Sequence, residues 1–192
     1  MIKNVCVYAS SSSLVDDVYV EAAAELGRAL AQRGWGLVFG AGADGLMGAA
    51  ARGAAEAGGV TIGVVPEKMD VDGVVYDSCT ELFVTRTLRE RKAMMEDKAD
   101  AFVALPGGFG TYEELLEIIA LRQLGYHKKP VAILNVNGYY DGLIAQFNRA
   151  VEQRFCSPGA LSVFGVFGTV KETLDYIETY QPAEYVKNRL FK

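Results

Sequence analysis

Residues 106–114, Pro-Gly-Gly-Phe-Gly-Thr-Tyr-Glu-Glu, join a glycine-rich turn to two carboxylates. The turn follows an apolar run at 101–105 and precedes a segment whose apolar residues recur at helical spacing. A glycine-rich turn at the start of a helix offers unobstructed backbone N–H groups, and the helix dipole favours an anion there. The pattern predicts a phosphate-binding loop with a carboxylate in the helix that follows it.

Thr111 and Glu114 in the same segment also fit a capping box, S/T-x-x-E. In that motif the glutamate side chain accepts a hydrogen bond from the backbone N–H of the N-cap residue, and no ligand is needed. The phosphate-loop and capping-box interpretations both account for these two residues.

Arg91 breaks the polar pattern of the segment at 87–98. It lies three residues after Leu88 and four before Met95, so helical geometry places it on the apolar side. An inward-facing guanidinium needs an anionic partner, either a carboxylate of the protein or a ligand, because an unpaired buried charge is costly. The alternative is that the side chain extends past the apolar surface to solvent.

Two further loops have compositions suited to an anion. Residues 10–13 are four consecutive serines, and Gly40, Gly42 and Gly45 match G-x-G-x-x-G with Glu67 further on, as in a dinucleotide-binding fold. A complete strand and helix precede that motif, however, and Pro66 separates the third strand from Glu67. A dinucleotide-dependent oxidoreductase is therefore an alternative that leaves the loop at 106–114 without a role.

Short apolar, β-branched runs alternate with amphipathic segments, a pattern typical of parallel strands joined by crossover helices. The predicted strands are 2–9, 36–40, 60–65, 82–85, 101–105, 131–135 and 163–166. The predicted helices are 16–33, 45–57, 87–98, 111–124, 140–153 and 170–179. We predict one α/β domain over 1–192, with a doubly wound, mostly parallel sheet and helices on both faces. Ligands of such sheets bind beyond the carboxyl ends of the strands, where all three loops are expected.

Composition excludes several classes of protein. The chain has 19 basic and 24 acidic residues and a net charge of −5, which argues against coating of nucleic acid. Cys6, Cys79 and Cys156 are far apart and His127 is the only histidine, so we expect neither disulfides nor a metal site. We find no signal peptide and no apolar window of about 18 residues, and we expect a soluble cytoplasmic protein without membrane contact.

Glu90-Arg91-Lys92 followed by the loop at 106–114 resembles the LOG (LONELY GUY) family of cytokinin riboside 5′-monophosphate phosphoribohydrolases, long mislabelled as lysine decarboxylases. Supporting stretches lie at 5–12, 36–48, 63–66, 123–126 and 135–141. The resemblance implies a modified Rossmann fold, usually a homodimer, that hydrolyses the N-glycosidic bond of an adenosine-type 5′-monophosphate. It also implies that Arg91 and Glu114 form the catalytic pair.

From the motifs and the resemblance together we expect a nucleoside 5′-monophosphate substrate and no cofactor, since no residue context argues for pyridoxal phosphate. The expected substrate-binding residues are Ser11, Gly42, Lys92, Gly107, Gly108, Phe109, Gly110, Thr111 and Glu113. Arginine is a poor general acid at neutral pH, so Arg91 is expected to help electrostatically. A nucleotide carrier without turnover remains an alternative to the hydrolase.

The expected dimer would use the helices predicted at 87–98 and 111–124, which have apolar residues on more than one face. These residues are Met94, Met95, Leu115, Leu116 and Leu121. The alternative is that both helices are packed on two sides within one domain.

Overall fold

The computed structural model describes residues 2–71 and 73–182, which fold around one seven-stranded sheet. The strands are β1 (Asn4–Tyr8), β2 (Gly36–Phe39), β3 (Thr61–Pro66), β4 (Glu81–Thr85), β5 (Ala101–Ala104), β6 (Val131–Leu134) and β7 (Gly165–Phe167). Their spatial order is β4-β3-β2-β1-β5-β6-β7, and every neighbouring pair is parallel. The predicted doubly wound α/β fold is confirmed. The domain bounds of 1–192 stay a prediction, because 183–192 lie outside the described residues.

In the described part of the chain six α-helices follow the strands, each within two residues of its predicted bounds. They are α1 (Asp17–Gln32), α2 (Gly45–Glu56), α3 (Leu88–Lys98), α4 (Phe109–Leu124), α5 (Asp141–Glu152) and α6 (Val170–Thr179). The strand predicted at 163–166 is displaced, because a 3₁₀ helix occupies Pro158–Val163 and β7 begins only at Gly165. Two shorter 3₁₀ turns, Glu67–Met69 and Val136–Gly138, were not predicted.

The two faces of the sheet have separate apolar cores. Successive side chains of a strand point to opposite faces, so Val5 and Val7 of β1 pack with α1, α2 and α6. Cys6 and Tyr8 of the same strand pack with α3 and α4. Helices therefore cover both faces, which explains why the strands are apolar without alternation.

The order of the strands reverses at β1, which has β2 on one side and β5 on the other. Connections leave in opposite directions from this point and open a crevice at the carboxyl ends of the strands. The loops there are joined directly: the N–H of Ser10 donates to the carbonyl of Pro106 at 3.2 Å, and the N–H of Leu46 donates to the carbonyl of Ser10 at 2.9 Å.

Gly45 permits the contact between the loops after β1 and β2. Its φ of +57° is a conformation that glycine adopts without strain. A Cβ at this position would lie 2.6 Å from the carbonyl oxygen of Ser12 and 2.7 Å from that of Ser10. The third glycine of the G-x-G-x-x-G pattern therefore serves the packing of two loops.

Candidate functional site

A cleft of about 490 Å³ opens at the reversal point of the sheet, a volume typical of small-molecule sites. The loops after β1, β2 and β3 line it together with α3 and the start of α4. Its lining residues are Ala9, Ser10, Ser11, Ser12, Gly40, Ala41, Gly42, Asp44, Met47, Val65, Met69, Val74, Val75, Arg91, Gly108, Gly110, Thr111 and Glu114. The three anion-suited loops of the sequence thus meet at one cavity.

Arg91 of α3 and Glu114 of α4 form an ion pair in the wall of this cleft. The Arg91 Nη2 lies 3.4 Å from the Glu114 Oε1, and each side chain is only 11% exposed. The Arg91 Nε also donates a hydrogen bond to the carbonyl of Val64 at 3.2 Å. The predicted inward orientation of Arg91 is confirmed, and its partner is a carboxylate of the protein. Leu88, which the helical pattern placed on the same side, is exposed.

Gly40 makes room for that guanidinium at the end of β2. A Cβ on Gly40 would lie 1.9 Å from the Arg91 Nη2, which is far closer than atoms can approach. The first glycine of the G-x-G-x-x-G pattern is thus explained by the arginine that passes over it. No dinucleotide is needed to account for it.

Burial raises the pKa of the Glu114 carboxyl above its usual value, since a charged carboxylate loses hydration in the cleft wall. The positive charge of Arg91 opposes this rise and lowers the pKa again, though by less than burial raises it. Glu113 adds a smaller rise because it is a like charge. A carboxyl group with a shifted pKa, beside a cation in a cleft, is typical of functional sites.

The predicted capping box of Thr111 and Glu114 is wrong. The helix α4 begins at Phe109 with Gly108 as its N-cap, so Thr111 lies inside the first turn and Glu114 contacts Arg91. A complete capping box occurs at α3, where the N–H of Glu90 donates to the Thr87 Oγ1 at 3.1 Å. The sequence matches S/T-x-x-E at both places, and only the position of the helix start distinguishes them.

The N-terminus of α4 is open to a ligand. The first N–H groups of a helix have no partner within it, and those of Gly108 to Thr111 donate to no acceptor in the described part of the chain. Gly108 and Gly110 would have open space around a Cβ. These N–H groups can therefore bind an anion at the floor of the cleft.

The N-terminus of α2 is already occupied, contrary to our expectation that each of the three loops offers free N–H groups. Leu46 and Met47 both donate their N–H to the carbonyl of Ser10, at 2.9 and 3.2 Å. A pyrophosphate in a dinucleotide-binding fold would need these groups. The oxidoreductase alternative loses its structural basis here.

The structure brings most of the predicted site together. Arg91 and Glu114 line the cleft with five predicted binding residues, Ser11, Gly42, Gly108, Gly110 and Thr111. The other four predicted binding residues, Lys92, Gly107, Phe109 and Glu113, are not among its lining residues.

Those four residues lie behind or beside the cleft. Lys92 forms ion pairs with Glu113 and, at 2.9 Å, with Glu117 on the outer side of α3 and α4. Phe109 is almost fully exposed, and Gly107 is buried against the Thr111 side chain, which a Cβ would meet at 2.1 Å. Motif membership alone does not place a residue in the cavity.

Several cleft residues were not predicted as site residues, among them Asp44, Met47, Met69, Val74 and Val75. Asp44 adds a second carboxylate to the rim of the cleft. Its position between Gly42 and Gly45, in the Gly-rich loop, is the sequence feature that could have indicated it as a site residue. The two valines reach the cleft through pairing of loops, since the N–H of Ala43 donates to the carbonyl of Val74 at 2.9 Å. No local pattern predicts that contact.

Residues 2–71 and 73–182 include no helix long and apolar enough to cross a membrane. Within the same ranges, no group of three or more His, Cys, Asp or Glu side chains is placed to hold a metal ion.

A family model described as "possible lysine decarboxylase" matches residues 47–177. A rice (Oryza sativa subsp. japonica) relative, the probable cytokinin riboside 5′-monophosphate phosphoribohydrolase LOGL6, is 42% identical over 94% of this chain and 72% of its own. The Arabidopsis thaliana cytokinin riboside 5′-monophosphate phosphoribohydrolase LOG5 is 41% identical over 94% and 79%.

Solved structures agree on the fold. The molybdenum cofactor binding protein of Rippkaea orientalis has a TM-score of 0.71 at 22% identity, covering 93% of this chain and 96% of its own. The molybdenum cofactor carrier protein of Chlamydomonas reinhardtii has a TM-score of 0.70 at 23% identity, covering 93% and 97%. The match to the family model and the sequence identity with the plant relatives show more than a shared fold, and they establish that the chain belongs to the LOG family.

Proposed function

We propose that this protein hydrolyses the N-glycosidic bond of cytokinin riboside 5′-monophosphates and releases the free base and ribose 5-phosphate. The observation that supports this most directly is the Arg91–Glu114 pair beside the open N-terminus of α4, in a single cleft. A carrier needs a site for the phosphate but no buried carboxylate next to it. The hydrolase relatives favour turnover as well.

The 5′-phosphate is proposed to bind at the N-terminus of α4. The N–H groups of Gly108, Gly110 and Thr111 supply donors, and the helix dipole favours the negative charge. The absence of side chains at Gly108 and Gly110 lets phosphate oxygens approach the backbone. Ser11 also lines the cleft and can add a donor from its hydroxyl.

Departure of the base leaves positive charge on C1′ and O4′ of the ribose, so the transition state resembles an oxocarbenium ion. The carboxylate of Glu114 stabilises that charge and orients the attacking water. Water adds its oxygen to C1′, the bonding electrons leave with the base nitrogen, and the proton lost by the water is balanced by protonation of the base. Asp44 at the rim is a second acceptor for ribose hydroxyls.

Arg91 supplies positive charge next to Glu114 without serving as an acid, since its guanidinium stays protonated at neutral pH. Its Nε is held by the carbonyl of Val64, which fixes the guanidinium over Gly40. In this position it keeps the Glu114 carboxyl ionised more readily than burial alone would allow. It also favours departure of the electron-rich base.

The base is proposed to lie against the apolar wall of the cleft. That wall consists of Met47, Val65, Met69, Val74 and Val75. Methionine side chains adapt to irregular ligands and contact aromatic rings favourably. The wall therefore suits a purine and an apolar substituent on it.

Incubation of the pure protein with AMP and with isopentenyl-AMP tests the proposal, with free base and ribose 5-phosphate separated by chromatography. We expect release of both products from at least one nucleotide, in equal amounts. Binding of either nucleotide without release of base would overturn the hydrolase and favour the carrier. The preferred nucleotide identifies the base.

The pH dependence of the reaction should follow the raised pKa of Glu114. Ionised Glu114 is required, so activity falls as the pH drops through that pKa, which lies above the usual 4.5. Arg91→Gln removes a charge that lowers this pKa, and the acid limb of its kcat/KM profile should move to higher pH. The phosphate of the substrate also titrates near pH ~6, but it does so equally for both proteins. If the acid limbs of the parent protein and Arg91→Gln coincide, the group that titrates there is not Glu114.

We also propose a homodimer formed through the exposed side of α4 and α5. Leu115 and Met95, which we expected at a dimer interface of α3 and α4, belong instead to the core of the chain. Leu116 remains exposed, at the edge of an apolar groove of about 210 Å³ that Ile119, Phe147 and Phe164 also line. An apolar groove of this kind is typical of a contact surface.

Leu116→Glu tests the dimer by light scattering after size exclusion. We expect a mass of twice 20.8 kDa for the parent protein and 20.8 kDa for the variant. Val60→Glu is the matched control, because Val60 is exposed to nearly the same degree (43% against 42%) and lies at the amino end of β3. A monomeric parent protein, or a dimer that survives Leu116→Glu, would exclude this interface.

A further inference from the structure

Three tyrosine hydroxyls lie beside the turn that precedes α4, and their residues are not among those that line the cleft. Tyr139 donates a hydrogen bond to the carbonyl of Gly107 at 2.6 Å, and Tyr140 donates one to the carbonyl of Leu105 at 2.7 Å. The hydroxyl of Tyr112 lies 2.9 Å from that of Tyr139 and, because Tyr139 donates elsewhere, must donate to it. The chemistry proposed above uses none of the three.

The segment that contains Tyr139 and Tyr140 is itself fixed by hydrogen bonds. Asn135 donates its Nδ2 to the Asp141 carboxylate at 2.8 Å, and its side-chain oxygen accepts the N–H of Tyr140 at 2.7 Å. The rings of Tyr139 and Tyr140 then pack edge to face with centroids 5.1 Å apart. The hydroxyls are therefore held in place before any ligand arrives.

The hydrogen bond to Gly107 determines where the N–H of Gly108 points. In a trans peptide the C=O and N–H point in opposite directions, and the described residues include no cis peptide. Because Tyr139 holds the Gly107 carbonyl, it also fixes the Gly108 N–H in the opposite direction, at a residue that lines the cleft. Two successive glycines adopt many conformations, so this peptide would otherwise rotate easily.

The neighbouring carbonyls of the turn are also engaged. The carbonyl of Pro106 accepts the N–H of Ser10 at 3.2 Å, and that of Gly108 accepts the N–H of Tyr112 at 3.0 Å. With the carbonyls bound, the cleft side of the turn presents donors and no acceptor from these peptides. An anion meets N–H groups already aligned, which reduces the entropic cost of binding.

We propose that Tyr139, supported by Tyr112, is a positioning residue that preorganises the turn for the 5′-phosphate of the substrate. This inference rests on the phosphate site of the proposed function. Tyr140 fixes the carbonyl of Leu105, two residues before Gly107, in the same way.

The protonation state of Tyr139 suits this role. Partial burial is the largest of the causes that raise the pKa of Tyr139 to about 12. The hydroxyl therefore remains a donor to Gly107 throughout the pH range in which the enzyme can be assayed. A phenolate would instead repel that carbonyl.

Tyr139→Phe removes the donor and keeps the ring packing, so it tests positioning with little change in burial. We expect the dissociation constant of ribose 5-phosphate, measured by calorimetry, to rise about tenfold, the size of one net hydrogen bond. The KM for the nucleotide should rise similarly, with kcat changed less than about twofold. Binding of the free base, which has no phosphate, should not change. Tyr112→Phe should show the same pattern more weakly.

Tyr126→Phe is the matched control, since the Tyr126 side chain is 76% exposed after the end of α4. A merely structural role for Tyr139 would weaken the binding of base and of ribose 5-phosphate alike, and that result would overturn the inference. An unchanged dissociation constant for ribose 5-phosphate would do so too. Calorimetry needs no turnover, so a protein that binds ribose 5-phosphate but releases no base contradicts the hydrolase alone.

Discussion

Glu114→Gln is expected to lower kcat for nucleotide hydrolysis by about 10³-fold while the protein remains folded. The oxocarbenium-like transition state has positive charge next to this side chain, and an oriented charge in a largely desolvated site contributes several kcal/mol. Glutamine has nearly the same shape and keeps an oxygen that can accept from Arg91, so the variant loses the charge but not the contact. KM should change little, because the proposed phosphate donors at the start of α4 are untouched.

Glu113→Gln is the matched control, one residue away and of the same chemistry. Glu113 pairs with Lys92 outside the cleft, and we expect its loss to leave kcat within about twofold. Steady-state kinetics of both variants, with far-ultraviolet circular dichroism to verify folding, provide the comparison. Equal losses in the two variants, or a Glu114→Gln protein with more than a tenth of the parent rate, would remove Glu114 from the catalytic role.

The predictable part of this site depends on spacing along one element. Arg91 lies on the inner side of α3 because it shares a helix face with the buried Met95 four residues later, and this needs no knowledge of the rest of the fold. The alternation of strand and helix likewise predicts a doubly wound sheet, although it does not predict the order of the strands. The carboxyl ends of the strands then indicate where the cleft must lie.

The unpredictable part depends on contacts between loops. The loops after β2 and β5 look equally suited to an anion in sequence, yet the carbonyl of Ser10 occupies the N-terminus of α2 and leaves α4 open. The partnership of Lys92 with Glu113 and Glu117 likewise connects two helices, and it draws the lysine away from the cleft. The sequence therefore identifies candidate binding loops and residues, and contacts between distant segments determine which of them face the cleft.

Gly40→Ala is expected to lower kcat/KM by about 10²-fold without unfolding the protein. The added methyl would lie 1.9 Å from the Arg91 Nη2, and the end of a flexible side chain yields more easily than backbone. The guanidinium would leave its position over β2 and lose its contact with Glu114, where misplacement by about 1 Å can cost 10²-fold. The Glu114 pKa should rise further, since Arg91 lowers it. Gly142→Ala on α5, with open space around its Cβ, is the control.

A double-mutant cycle separates displacement of Arg91 from general damage to β2. If alanine at position 40 acts only through the guanidinium, it should cost little in a protein that already has Arg91→Ala, because the group it displaces is gone. The activity of the double variant should then match that of Arg91→Ala alone. Additive losses would mean that the methyl disturbs the cleft by another route, and that Gly40 is required for the loop after β2 rather than for the arginine above it.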